Sequence, residues 1–281
     1  MKRRNMFLAL IALVALLGSA CGEEPPANGN GNGNGNGETT APTAPTIEEG
    51  VLMVGSCLDY APFESIEGGD EVGFDVDLAE EIADRLGLTV EWVRADFDTI
   101  FTAVAGQQFD MVAAASTITE ERQGVVDFSD PYYNSRQALV APTGSGIAST
   151  DDIGDGDRVG VLRGSTGKSW AEDVLVPQGA EIVSYPNAPD TFRDLEAGNL
   201  VAAVNDEPFS AEVIKDFPGL EIVQPIDTDE EYGFAFSKDN PELTEAVNGV
   251  LAEIIEDGTY QTIFEQYFPG VEVPPEYQPA V

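Results

Sequence analysis

The chain has 281 residues, with 13 Lys and Arg against 51 Asp and Glu, and it contains no histidine. Its formal net charge of −38 excludes nucleic acid as a partner, because phosphate binding requires a surface of the opposite sign. The lack of histidine excludes catalytic sites of the Ser-His-Asp and Cys-His types and removes the commonest zinc ligand. We therefore expect no metal site.

Residues 1–20 are predicted to be a lipoprotein signal peptide. Three basic residues precede an apolar run from Met6 to Leu17, which is too short to span a bilayer. The run ends in "LLGSAC", which resembles a bacterial lipobox, although Gly18 stands where that motif usually has leucine. The resemblance implies that Cys21 is lipidated and anchors an extracytoplasmic protein to the outer face of the cell membrane. An ordinary signal peptide with an incidental cysteine is the alternative.

Residues 21–48 are predicted to be a disordered tether. Five successive Asn-Gly pairs occupy residues 28–37, and a segment rich in Thr, Ala and Pro follows. Such a segment has no apolar side chains with which to form a core. A flexible chain of roughly 27 residues spans about 30 Å, so it would let a folded body move around a fixed point on a membrane.

Short apolar strands and amphipathic helices alternate from about Val51 onward, which is typical of parallel α/β units. The segment 75–87 is predicted to be a helix, because its apolar residues recur at intervals of three and four and Gly87 provides a C-cap. A second helix is predicted over 98–107. The predicted strands in this part are "VLMVGS", "LTVEWV", "FDMVAAAS" and "QALVAP".

The pattern breaks at "APTGSG", residues 141–146, and resumes with the strands "RVGVLRG", "EIVSY", "LVAAVN" and "LEIVQP". A second break is predicted at "DTDEEYG", before a last strand "YGFAFS" and the closing helices. We therefore predict an α/β fold of two lobes, each a sheet flanked by helices, joined by two crossings. The first lobe would comprise residues 49–141 and 230–270, the second residues 142–229, and residues 271–281 would form a C-terminal tail.

Two motifs that suggest cofactors depart from their patterns. "LRGSTGKS" resembles a phosphate loop, but Leu162 stands where the Walker sequence has glycine. "DDIGDGDR" suggests a calcium loop, but Ile153 occupies the position of a ligand. We therefore expect no cofactor.

Several motifs in the same order resemble solute-binding protein family 3, the polar amino-acid binding proteins of ABC transporters. They include "VGSCLDYAPFES", "GFDVDLAEEIADRLG", "DFSDPYY" and "VGVLRGSTGKSWAE". The resemblance covers about residues 51–268. It implies a two-lobed, periplasmic-binding-protein-like fold of type II, with the ligand in the cleft. It also implies a monomer that binds an amino acid, partners an ABC permease and is not an enzyme.

The resemblance also implies the ligand-binding residues. A guanidinium matches a carboxylate in geometry and charge, and Arg122 occupies the family's position for this contact. A surface salt bridge is the alternative for Arg122. Asp206 would bind the ligand ammonium from the opposite lobe. The remaining implied contacts are Tyr60 and Phe97 by stacking, Ala115 by its backbone, Thr117 by its hydroxyl, and the turn of Gly164, Ser165 and Thr166, with Arg163 a weaker candidate.

Cys57 stands where several relatives that bind cationic side chains have an acid. This difference favours a ligand with a neutral or polar side chain, unless Asp59 or Glu64 replaces the acid. Two other functions remain open on the same fold. One is a secreted cyclohexadienyl or arogenate dehydratase with Glu207 as proton donor, and the other is a ligand-sensing receptor subunit.

Overall fold

A computed structural model describes residues 44–279. The predicted signal peptide, Cys21 and most of the predicted tether lie outside these residues. The last part of the predicted tether contacts the first lobe, since Ile47 N donates to Asp110 Oδ1 at 2.8 Å and Asn240 Nδ2 donates to the Pro45 carbonyl at 2.9 Å. Within residues 44–279, no helix combines the length and the apolar character that a membrane crossing requires.

The first half of the described chain builds most of one sheet and its helices. Its elements are β1 (Val51–Ser56), β2 (Ser65–Glu67), β3 (Asp70–Val72), α1 (Phe74–Leu86), β4 (Thr89–Arg94), α2 (Phe97–Ala105), β5 (Met111–Val112), α3 (Glu120–Gln123), β6 (Asp127–Phe128) and β7 (Tyr133–Pro142).

The second half builds the other sheet and then returns to the first. Its elements are β8 (Arg158–Leu162), α4 (Thr166–Val174), β9 (Glu181–Tyr185), α5 (Ala188–Glu196), β10 (Ala202–Asp206), α6 (Glu207–Val213), β11 (Leu220–Tyr232), β12 (Ala235–Phe236), α7 (Pro241–Glu256) and α8 (Thr259–Tyr267).

Each lobe contains one five-stranded sheet with helices packed on it. The first sheet has the order β4-β1-β5-β12-β6, and the second has the order β11-β7-β10-β8-β9. In each sheet the outer βα units are parallel, whereas the strands next to the crossings run antiparallel. The predicted two-lobed α/β fold is therefore confirmed.

Helix α1 shows how local sequence specifies this architecture. Its apolar face, including Leu78 and Ile82, is fully buried, while Asp77 and Glu80 lie on the side that the core does not cover. The helix ends at Gly87, which adopts φ 71 and donates its N–H to the Ala83 and Asp84 carbonyls. This left-handed conformation carries little cost for glycine, so the predicted C-cap is confirmed.

The first crossing between the lobes lies earlier in the chain than the predicted boundary at residue 141, and the second lies later than the predicted boundary at residue 229. The strand β7 pairs along its length with β11, so residues 133–141 and 230–232 are hydrogen-bonded in the second sheet. The reason is aromatic packing, since the ring of Phe63 in the first lobe lies 5.0 Å from Tyr133 and 5.3 Å from Tyr232. These contacts anchor the ends of both crossing strands to the first lobe.

The break predicted at "DTDEEYG" is wrong, because β11 continues through it to Tyr232. Its acids alternate in exposure: Asp227, Asp229 and Glu231 face outward, whereas Glu230 and Tyr232 are buried. A period of two is what an extended strand requires. The pairing of β11 with β7 shifts register twice, between Ile222 and Gln224 and between Ile226 and Glu230.

The segment predicted as a C-terminal tail packs against the first lobe over its described part. Val273 and Tyr277 are 6% and 4% exposed, and the ring of Tyr277 lies 5.3 Å from that of Tyr260 in α8. The Tyr277 hydroxyl also lies 3.0 Å from Asn134 Oδ1, at the start of the first crossing strand.

Candidate functional site

The cleft between the lobes contains a small cavity of about 30 Å³. Eight of the nine predicted ligand-binding residues line it: Tyr60, Phe97, Ala115, Thr117, Arg122, Ser165, Thr166 and Asp206. The ninth, Gly164, lines the neighbouring outer cavity, which shares Arg122 with the inner one.

Arg122 lies in the short helix α3, which Thr119 caps by accepting the Arg122 N–H at 3.2 Å. The guanidinium donates to the Thr117 carbonyl at 2.7 Å and to the Gly164 carbonyl at 3.1 Å. Thr117 belongs to the first lobe and Gly164 to the second, so Arg122 links the two walls of the cleft. Over residues 44–279 no carboxylate lies within ion-pair distance of Arg122, so the surface salt bridge is not formed there.

Two aromatic rings support the Arg122 guanidinium. Its central carbon lies 4.6 Å from the ring centroid of Phe101 and 5.2 Å from that of Phe97. Contacts of this kind stabilise a cation by attraction to the ring face. Burial lowers the pKa of Arg122 to about 10, which still leaves the group charged at neutral pH. The predicted stacking of Phe97 on a ligand stays a prediction, since its ring already faces Arg122.

Asp206 lies at the carboxyl end of β10 and is 7% exposed. Its carboxylate lies 2.8 Å from the Tyr60 hydroxyl and 2.5 Å from the Tyr232 hydroxyl, and it also accepts from Gln137 Nε2. Burial and the nearby charge of Glu230 raise the pKa of Asp206 to about 7, against the opposing effect of these hydrogen bonds. A positive group in the cavity would favour the ionised form of Asp206.

Tyr60 joins the two lobes. Its ring stacks on Phe209 of α6, with centroids 4.0 Å apart and planes inclined by 3°. Its hydroxyl lies 2.6 Å from Asn205 Oδ1, besides the contact with Asp206. One face of the Tyr60 ring is therefore covered by the second lobe. The predicted stacking of Tyr60 on a ligand stays a prediction for the other face.

Glu230, which sequence analysis missed, connects the predicted hydroxyl donors. It is 6% exposed, and Oε2 accepts from Thr117 at 2.7 Å and from Thr166 at 2.9 Å. Oε1 accepts from Gln137 Nε2 and Thr228 Oγ1, both at 2.9 Å. The hydroxyls of Thr117 and Thr166 lie at the cavity as predicted, but a protein carboxylate already accepts from them. The sequence signal that could have indicated Glu230 is the period of two in an extended strand, which places residues 228, 230 and 232 on the same face.

The other two predicted backbone or hydroxyl contacts have partners of their own. Ala115 has a φ of 44, and its N–H donates to Asp75 Oδ2 at 2.8 Å. Ser165 caps α4, because its hydroxyl accepts from Lys168 N at 3.0 Å and donates to the Leu162 carbonyl at 2.8 Å.

Acidic groups dominate one part of the cavity wall. Asp59, Glu64 and Asp96 line it with Cys57 and Arg94. Arg94 Nη2 lies 3.7 Å from Asp59 Oδ2, and burial raises the pKa of Asp59 to about 6. Burial, followed by the charges of Glu64 and Asp59, raises the pKa of the Cys57 thiol, so the thiol is neutral.

Glu64 is the most buried of these acids, at 1% exposure. Neither of its carboxylate oxygens has a hydrogen-bond partner in the part of the chain that the structure describes. Burial raises the pKa of Glu64 well above its ordinary value, and the charge of Asp75 adds to the effect. The sequence singled out Glu64 only together with Asp59, as an acid that could replace the one missing at position 57.

Arg163 lies at the rim of the cleft. Its Nε is 3.2 Å from Asp98 Oδ2 at the start of α2, so the pair joins the lobes at the surface. The neighbouring Gly164 has a φ of 77, and a Cβ added there would lie 3.0 Å from Asp98 Cα. The cleft therefore closes over a glycine and an ion pair.

The chain is similar to known proteins over most of its length. The model of bacterial extracellular solute-binding proteins, family 3, matches residues 52–270. The lysine/arginine/ornithine-binding periplasmic protein of Escherichia coli K12 is 35% identical over 226 residues, which are 77% of this chain and 87% of that protein.

Solved structures extend the similarity to the fold. An ancestral arginine-binding protein bound to arginine has a TM-score of 0.75 at 39% identity, covering 78% of this chain and 98% of that one. An ancestral amino-acid-binding protein described as a precursor of cyclohexadienyl dehydratase has a TM-score of 0.71 at 35% identity, covering 78% and 95%. The sequence match and the shared two-lobed architecture together show that this chain belongs to family 3 of the bacterial extracellular solute-binding proteins.

Proposed function

We propose that this protein captures a free amino acid with a cationic side chain between its two lobes and delivers it to the permease of an ABC importer. One observation carries the proposal: a charged arginine and a buried aspartate, Arg122 and Asp206, line a single enclosed cavity from opposite lobes. The names of the relatives, which refer to lysine, arginine and ornithine, support this class of ligand.

Arg122 is proposed to bind the α-carboxylate. A guanidinium has five N–H donors, and two of them are used by the Thr117 and Gly164 carbonyls. The remaining three can donate to a planar carboxylate in the bidentate manner that such pairs favour. Thr117 and Thr166 would add their hydroxyls by exchanging Glu230 for the ligand.

Asp206 is proposed to bind the α-ammonium. Its pKa of about 7 means that the carboxylate is only partly ionised at neutral pH, and an adjacent ammonium would shift it to the charged form. A ligand held at both ends contacts both lobes only when they are together, so its binding favours the closed arrangement.

Cys57 favoured a ligand with a neutral or polar side chain, and the proposed function replaces that expectation with a cationic one. Asp59, Glu64 and Asp96 line the same cavity, so the acids that could substitute for a residue at position 57 are available. A neutral thiol surrounded by carboxyl groups does not prevent a cation from binding among them. The relatives named for basic amino acids favour the same conclusion.

The dehydratase alternative depends on a proton donor, for which Glu207 is the sequence candidate. Glu207 forms a two-point ion pair with Arg136 and lies in a groove on the hinge side that Pro208 and Tyr267 also line. This position favours a binding protein, and the precursor among the structural relatives is itself named as an amino-acid-binding protein. Lipidation at Cys21, anchorage to the membrane and a monomeric state are part of the proposal.

Calorimetric titration of refolded protein with arginine, lysine, glutamine and prephenate tests the proposal. We expect saturable 1:1 binding of a basic amino acid and no consumption of prephenate. Arg122→Ala should weaken binding at least tenfold, which corresponds to about 1.4 kcal/mol. The matched control is Arg163→Ala, which removes an arginine at the rim of the cleft. Equal affinities for wild type and Arg122→Ala would contradict the carboxylate assignment.

Co-purification separates transport from sensing. A transport receptor should be recovered with permease subunits from detergent-solubilised membranes, whereas recovery with a kinase would favour the sensory alternative.

A further inference from the structure

Glu64 is held in the cavity wall by the turn that follows β1. Its N–H donates to the Tyr60 carbonyl at 3.2 Å, and its carbonyl accepts from Tyr60 N at 2.7 Å. The backbone therefore fixes the point from which the side chain enters the cavity. The carboxyl group itself is almost fully buried and has no hydrogen-bond partner within residues 44–279. An ionised carboxylate in such a place carries a large desolvation penalty unless a positive group joins it.

The groups around Glu64 do not supply that positive charge. The segment after β1 contributes Cys57, Asp59 and Tyr60, helix α1 contributes Asp75, and β10 contributes Asp206. These groups are acidic or neutral, so they favour the protonated form of Glu64.

The two cations that also line the cavity are engaged elsewhere. Arg94 is 62% exposed and pairs with Asp59, while Arg122 donates to the backbone carbonyls of Thr117 and Gly164. Asp96 lines the same wall as Arg94 and adds a further acid.

We propose that Glu64 is the residue that selects a cationic side chain, and that it releases its proton when that cation arrives. This inference rests on the proposed function. The carboxyl O–H bond breaks, the proton passes to solvent or buffer, and the resulting carboxylate pairs with a guanidinium or ammonium that is already charged. A neutral side chain of the same shape leaves the proton in place.

Competing acids are less suited to this role because they already have partners. Asp75 Oδ2 accepts from Ala115 N and from the Tyr132 hydroxyl, both at 2.8 Å. Asp206 accepts from two tyrosine hydroxyls and a glutamine amide. Asp59 already faces Arg94. Asp96 is exposed, so Glu64 is the buried acid of the cavity wall whose hydrogen-bonding capacity is left for a ligand.

The test compares arginine with citrulline, a neutral side chain of the same length. Calorimetry at pH 6 to 8 in buffers of different ionisation enthalpy measures the protons released per ligand bound. Because both ligands carry the same ammonium and carboxylate, protons released at Asp206 cancel in the difference. Arginine should release up to one proton more than citrulline. Its affinity should rise with pH by up to tenfold per unit relative to citrulline while Glu64 titrates.

Glu64→Gln should remove the difference in proton release and lower the preference for arginine over citrulline at least tenfold. Asp59→Asn, which changes an acid of the same cavity that already has a partner, should keep the proton release. Retention of the difference in Glu64→Gln, or its loss in Asp59→Asn alone, would overturn the assignment.

Wild-type protein supplies a measurement that does not depend on any variant folding. If it binds arginine but releases the same number of protons with citrulline, the inference about Glu64 fails and the proposed function stands. If it binds no amino acid at all, both fail.

Discussion

Closure of the two lobes over Gly164 predicts a variant that weakens binding through a clash across the cleft. In Gly164→Ala the new methyl would lie 3.0 Å from Asp98 Cα and 3.2 Å from Asp98 Cβ, across the cleft. Overpacking of this degree costs about 1–2 kcal/mol, and it arises only when the lobes are together. Affinity for the amino acid should therefore fall about five- to thirtyfold.

A second glycine separates this effect from backbone strain. Gly198, in the second lobe, has the same φ of 77, but a Cβ there would meet nothing within 4 Å. Gly164→Ala and Gly198→Ala should each lose about 1 kcal/mol of folding stability from the left-handed conformation. Only Gly164→Ala should lose affinity in calorimetry and show an expanded radius of gyration at saturating ligand by small-angle scattering. Equal affinities for the two variants would refute the argument that closure brings residue 164 against Asp98.

Two further predictions concern charge. Arg163→Gln removes the rim ion pair with Asp98, and because that pair is exposed to solvent it should weaken binding by less than about 1 kcal/mol; a loss above tenfold in calorimetry would mean that Arg163 contacts the ligand. Burial raises the pKa of Asp75 from 3.8 to about 7, so the folded protein holds this proton more tightly than the unfolded chain does. The stabilisation is complete below about pH 4 and is lost as the pH rises through about 7. Asp75→Asn should therefore flatten the fall in the free energy of unfolding between about pH 4 and 7, measured by chemical denaturation, and an unchanged fall would contradict this.

Local sequence predicted the elements that depend on local forces. The periodicity of residues 75–87 and the left-handed preference of Gly87 specify α1 and its end, since both act within a few residues. The short helix at Arg122 likewise follows from Thr119 and the acids after it, which suit a helix N-terminus. The resemblance to the family then placed Arg122 and Asp206 at one cleft, and the structure brings both to the same cavity.

Sequence reasoning failed where distant segments decide the conformation. The acidic run at residues 227–231 has the composition of a loop, yet pairing with β7 makes it a strand. The length of β7 itself could not be foreseen, because its first residues are held by Phe63, about 70 positions earlier in the chain.

The sequence by itself determined that this chain is an acidic, two-lobed α/β protein, because composition, periodicity and capping are local properties of the chain. Only the tertiary structure decided that Tyr60 covers Phe209 across the cleft, that Glu230 joins Thr117 to Thr166, and that Glu64 is buried without a partner. Burial is the physical reason. An acid costs little in water and much in a closed cavity, and which of the 51 acids enters the cavity depends on how both lobes pack around it.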